Sequence, residues 1–194
     1  MADIIRYRPA VASDVQFIIR TWIQSYKGAH GAGILSIDEF EVPCECGRPV
    51  RYDFSAVMEV TLARLLQRPG LTTWVAHNPR ERPPHDLYGY LVSETGANLP
   101  RYVFGGEEQP RLEVKYATEP MVHFVFVKHL YRKMGIARAL FQVAGIDPAE
   151  PFLYTCKTSN LSKLEQAGKL SREKHSWFPL SVRFAKQPRE KKPQ

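Results

Sequence analysis

A chain of 194 residues is long enough for one domain with a proper core. Its 44% hydrophobic and 24% charged residues are those of an ordinary globular protein and exclude a disordered one, and no apolar run approaches the ~20 residues of a membrane helix. The net charge of +7 is unevenly placed, because eight basic residues (Lys169, Arg172, Lys174, Arg183, Lys186, Arg189, Lys191 and Lys192) face only Glu173 and Glu190 from Lys169 onward. That stretch reads either as a contact for nucleic acid or a polyphosphate, or as a solvated face followed by a basic flexible tail over 186–194.

Residues Ile4 to Arg8 alternate enough for an opening strand that Pro9 ends. Ser13-Asp14 is expected to cap a helix on which Val15, Ile18, Ile19, Trp22, Ile23 and Tyr26 recur at helical spacing, with Lys27-Gly28 as its stop. Residues 28–53 are loop-rich, with a hairpin expected from Glu41 to Tyr52 around Gly47. A second helix is expected from Ser55 to Leu66, broken by Pro69-Gly70.

Two strands follow, Thr72–His77 and Leu87–Ser93, and then a polar stretch from Asn98 to Glu113 that reads as irregular. Met121–Val127 is the most regular strand pattern of the chain, and it leads through a basic turn into a helix from Ile136 to Ala144. Phe152–Lys157 is expected as a strand, Leu161–Ala167 as a short helix and Trp177–Phe184 as a last strand. No repeat or linker divides the chain, so one domain over 1–185 is expected.

The N-terminal residues Met1 to Arg6 lack the basic start, apolar run and small-residue cleavage site of a secretory signal, so a cytoplasmic protein is expected. Cys44, Cys46 and Cys156 do not form a disulfide framework. Cys44-Glu45-Cys46 with His30 offers at most half of a zinc site, and no metal is expected.

The segment from Val122 to Leu140 is a strand, a basic turn containing a glycine, and an apolar helix. A helix N-terminus leaves several N–H groups unpaired and carries partial positive charge, so it is a place for a pyrophosphate. Within it, Arg132-Lys133-Met134-Gly135-Ile136-Ala137 resembles the Arg/Gln-x-x-Gly-x-Gly/Ala signature of the GCN5-related N-acetyltransferase (GNAT) family. Tyr131, the strand before it and the element order from about Ile4 to Phe184 are similar to that family as well.

The resemblance implies a mixed α/β, mostly antiparallel central sheet with helices on both faces, and acetyl-CoA as co-substrate. It implies that Phe126 and Val127 offer backbone to the pantetheine arm, that Arg132, Lys133, Met134, Gly135, Ile136 and Ala137 hold the phosphates, and that Asn160 bonds the pantetheine. Asn160 is equally well placed to cap the helix that follows.

Acylating an amine requires removal of a proton, for which His123 is the first candidate base and Glu94 the second. Alternation places His123 on the strand face of Val125 and Val127. A strand histidine can also be a hydrogen-bonded packing residue, and some family members work without a dedicated base. The tyrosine that many members carry on the helix after the next strand is missing, since Leu164 and Gln166 stand before Gly168. Direct transfer needs no covalent enzyme intermediate, so Cys156 reads as a buried apolar cysteine.

Residues 28–53, where the family varies most, would face the acceptor and carry His30, Asp38, Glu39, Glu41 and Glu45. The acceptor amine is not named by the sequence. The stretch Phe17 to Tyr26 and the Val127-Lys128 strand end are similar to uncharacterised acetyltransferase-like proteins of bacteriophages, which adds nucleic-acid modification or binding as an alternative. A catalytically degenerate binding module is another. Monomer and homodimer are both compatible with the sequence.

Overall fold

The computed structural model describes residues 5–28, 39–43, 49–83, 85–96, 98–103, 111–116, 118–155, 166–167 and 175–177. Ten strands, β1 (Arg6–Pro9), β2 (Glu39–Pro43), β3 (Pro49–Asp53), β4 (Leu71–His77), β5 (Leu87–Glu94), β6 (Asn98–Val103), β7 (Arg111–Tyr116), β8 (Met121–Val127), β9 (Phe152–Tyr154) and β10 (His175–Trp177), alternate with helices α1 (Ala12–Gly28), α2 (Phe54–Leu66) and α3 (Ile136–Val143). Six of the strands form one sheet in the order β1-β4-β5-β8-β9-β10. The neighbours from β1 to β8 are antiparallel and those from β8 to β10 parallel. This is the mixed, mostly antiparallel α/β sheet expected. Among the described residues no helix is long and apolar enough to cross a membrane.

β5 is buried along its whole length because both faces of the sheet are covered. On one face Ile18, Ile19, Trp22 and Ile23 of α1 and Leu62 and Leu65 of α2 pack with Val75, Tyr90, Val92 and Phe124. On the other, Ile136 and Leu140 of α3 pack with Ala76, Tyr88, Leu91, Val122, Phe152 and Tyr154. Burying side chains of this size stabilises by about 1.5–3 kcal/mol each, so the two apolar helix stripes are sufficient reason for the layering.

Several local expectations change. Of the expected Ser13-Asp14 cap, it is Asp14 that acts: α1 starts at Ala12, and the Val11 amide before it donates to Asp14 Oδ2 at 2.8 Å, so Asp14 closes the helix start from within the first turn. Arg8 grips the same carboxylate with two bonds of 2.6 and 3.1 Å, tying β1 to α1. α2 begins at Phe54, and its N-cap Asp53 accepts from the Ser55 and Ala56 amides.

The expected hairpin around Gly47 is β2–β3, with Glu41 opposite Arg51. The stretch from Asn98, expected to be irregular, instead holds the antiparallel hairpin β6–β7. Leu112, Val114 and Tyr116 alternate with Arg111, Glu113 and Lys115, a strand pattern hidden by its charge. β9 ends at Tyr154 and β10 starts at His175, while the rest of the expected Trp177–Phe184 strand, the 186–194 tail and most of the Leu161–Ala167 helix lie outside the described residues.

Candidate active site

β8 carries the first half of the site. Its pairing with β5 runs Glu94–Met121, Ser93–Val122, then Val92–Phe124, so His123 is an extra residue in a β-bulge. Strand alternation therefore fails at this point. Glu94 shares the β5 face of Val92, which packs with α1 and α2, and His123 Nε2 lies 3.0 Å from Glu94 Oε2. The histidine thus sits on the α1/α2 side with Phe124, whereas Val125 and Val127 pack on the α3 side; the expected shared face is corrected.

The two candidate bases are one buried pair. His123 is 0% exposed and Glu94 3%. Thr155 Oγ1 is 3.3 Å from His123 Nδ1 and donates to the His123 carbonyl at 3.1 Å, while Arg68 Nη2 is 4.0 Å from Glu94 Oε1. A carboxyl and an imidazole in such contact, shielded from water, can exchange a proton without solvent reorganisation.

β8 is paired with β9 over only part of its length. It meets the parallel β9 only through Met121–Leu153 and Val122–Tyr154, with the Thr155 amide donating to Val122 O at 3.1 Å. Among the described residues, Val125 to Val127 have no strand partner on that side. Phe126 is half-buried against Phe17 and Tyr90, and the Val127 carbonyl accepts from Arg132 Nε at 3.2 Å.

The turn that follows carries the second half. A short 3₁₀ turn, His129–Tyr131, leads to Arg132 in extended conformation, Lys133 at φ +69° and Gly135 at φ +78°, which caps α3. The first α3 bond is Ala139 N–H to Gly135 C=O at 3.0 Å. The amides of Lys133 to Arg138 precede it, and among the described residues they have no acceptor. A Cβ on Gly135 would meet nothing within 4 Å, so the glycine answers the left-handed backbone, and open space lies over it.

Arg132, Lys133, Met134 and Ala137 are exposed, while Ile136 is buried in the α3 core and anchors the helix start. Between Met121 and Ile146 there is no carboxylate, but there are Lys128, Arg132, Lys133 and Arg138. Unpaired amides, the helix dipole and this one-signed charge are complementary to a phosphate-type anion. Lys128 lies half-buried with its Nζ donating to His85 O at 3.2 Å and 5.3 Å from the centroid of the Phe17 ring, and desolvation holds its pKa below the ordinary lysine value.

Asn160 lies outside the described residues, as do His30, Cys44, Cys46 and Cys156. Sequence reasoning did not find Thr155, Arg68 or the bulge.

No protein-family model matches the chain, and no curated protein matches its sequence. Solved structures similar to it include the aminoglycoside 6'-N-acetyltransferase AAC(6')-Ih of Acinetobacter baumannii, 15% identical over 88% of this chain and 92% of that one with a TM-score of 0.44. A possible acetyltransferase from Clostridium difficile 630 is 13% identical over 86% and 91%, with a TM-score of 0.46. A ribosomal-protein-alanine N-acetyltransferase from Brucella melitensis biovar Abortus 2308 is 18% identical over 96% and 81%, with a TM-score of 0.39. At such identities and scores the functional reading is carried by the chain's own residues. Fold and site together define a mixed α/β protein with unpaired amides at the N-terminus of α3 and a buried Glu94–His123 pair between β5 and β8.

Proposed function

We propose that the chain is an acetyl-CoA-dependent N-acetyltransferase of the GNAT type, moving acetyl directly from the thioester to an amine. One observation carries this reading: the unpaired amides of Lys133 to Arg138 stand at the end of a strand whose Val125–Val127 stretch has no strand partner on its β9 side among the described residues. The amides would hold the pyrophosphate. The strand edge would pair with the amide groups of the pantetheine arm, which directs the thioester back toward the bulge at His123.

There the Glu94–His123 pair is the group able to take up the amine's proton, leaving a carboxylic acid beside an imidazolium. Lys128, Arg132, Lys133 and Arg138 raise the local concentration of a polyanionic ligand. The protein's own contribution is chiefly positioning and proton handling, as direct transfer forms no covalent enzyme intermediate. Residues 1–185 would form this one domain, with 28–53 on the acceptor side. The acceptor is an amine.

Calorimetry with CoA and acetyl-CoA tests the reading first: saturable binding that weakens steeply with salt is expected, and absence of binding removes it. Thiol release over a panel of aminoglycosides, peptides and polyamines then tests transfer. His123→Ala and Glu94→Gln should each lower kcat by roughly 10²–10⁴ if the pair is the base, and unchanged turnover in both would reduce the pair to a packing role.

A further inference from the structure

Thr155, the residue just after β9, makes three bonds around the bulge. Its amide donates to Val122 O at 3.1 Å, its hydroxyl donates to His123 O at 3.1 Å, and its oxygen lies 3.3 Å from His123 Nδ1. A hydroxyl has a single hydrogen. With that hydrogen on the His123 carbonyl, the Nδ1 contact is one in which the ring N–H donates and the threonine oxygen accepts. Nδ1 is then protonated, and the 3.0 Å gap between Nε2 and Glu94 Oε2 holds one further proton, either on the ring or on the carboxyl.

The arrangement is shielded, since Thr155 is 4% exposed and His123 fully buried, so water does not compete for either ring nitrogen. It also lies at the end of the described β8–β9 pairing.

We propose that Thr155 is a positioning residue for His123: it fixes the Nδ1–H form of the ring and its orientation, leaving the proton between Nε2 and Glu94 as the one that can move. The tautomer assignment is a property of the folded chain alone; its consequence for turnover rests on the acetyl-transfer reading above. Substitution by valine keeps the shape of the side chain and removes the acceptor oxygen, whereas serine keeps the oxygen.

The experiment is a long-range proton–nitrogen correlation spectrum of the histidine rings in the ¹⁵N-labelled full chain, with His123 assigned by its absence in His123→Gln. In the unsubstituted protein Nδ1 should be protonated, and Thr155→Ser should retain that pattern. Thr155→Val should shift the ring toward the Nε2–H form or a mixture of the two. With an amine that the thiol-release panel identifies, Thr155→Val should lower kcat about tenfold and leave KM for acetyl-CoA within about twofold, with Thr155→Ser restoring kcat.

A ring protonated only at Nε2 in the unsubstituted protein overturns the proposal without any variant, which covers the case in which Thr155→Val does not fold. A folded Thr155→Val with an unchanged His123 spectrum overturns it too. If no amine is acetylated, the acetyl-transfer reading fails while the spectra still decide the role of Thr155.

Discussion

The ring of Tyr131, at the end of the 3₁₀ turn, stacks on the ring of Tyr88 in β5 with centroids 3.9 Å apart and planes 13° apart. Tyr88 is itself held from the far end: its hydroxyl donates to Glu81 at 2.7 Å and accepts from Asn78 Nδ2 at 3.0 Å. Burial first, and then the Glu81 bond, hold its pKa well above the ordinary tyrosine value, so it stays protonated as the donor. The stack is thus the link between a central strand and the basic turn before α3. Aromatic pairs are worth about 0.5–1.5 kcal/mol beyond area burial. Tyr131→Ala should therefore weaken CoA binding roughly 2- to 10-fold through loss of turn position, measurable by calorimetry, with β-sheet content unchanged in the far-ultraviolet circular dichroism spectrum.

Lys133 is the one non-glycine residue at positive φ among the described residues, +69°. A side chain there costs on the order of 1 kcal/mol. Lys133→Gly should raise Tm by a few degrees while weakening CoA binding and flattening its salt dependence, because a charge leaves the seat. A variant that lost stability would mean the turn is not strained. Gly135→Ala runs the opposite way, losing about 1–2 kcal/mol and lowering the affinity for CoA by placing a methyl group over the amides.

Gly89 lies opposite Val127 in the β5–β8 ladder. A Cβ at this position would meet Phe126 O at 2.5 Å and Val127 Cα at 3.3 Å, and both are backbone atoms that cannot rotate away. Gly89→Ala should force the two strands apart and cost at least about 2 kcal/mol, seen as a lower urea midpoint. A near-native midpoint would show that the strands part easily.

His77 has its pKa pushed below the ordinary 6.5, first by desolvation and then by the charge of Arg8. The unfolded chain therefore binds a proton at this residue at higher pH than the folded one does. Stability from this group is complete above about pH 6.5 and is lost as the pH falls toward the folded value. The Tm of His77→Gln should fall less than that of the unsubstituted protein between about pH 7 and pH 5; parallel curves would refute this contribution.

The helices and central strands were legible in the sequence because their signals are local. Val15 to Ile23 show the helical period of α1, and Thr72–His77 and Met121–Val127 lie between turn residues. The basic turn with Gly135 was legible for the same reason, as a strand, a positive-φ position and an apolar helix follow one another within about 20 residues. The hairpin β6–β7 escaped because charged residues fill every second position of β7, and alternation alone then carries the signal.

What the sequence determined by itself is the basic turn before α3, since its amides, charges and left-handed glycine are neighbours in the chain. The proton-handling pair was decided by tertiary structure. Glu94 and His123 are 29 residues apart, and Thr155 is 32 beyond the histidine. They meet only because the β5–β8 register puts Glu94 opposite Met121 and gives β8 one residue too many. That extra residue turns His123 away from the face its position in the strand would assign, and register is a property of paired strands that neither strand encodes alone.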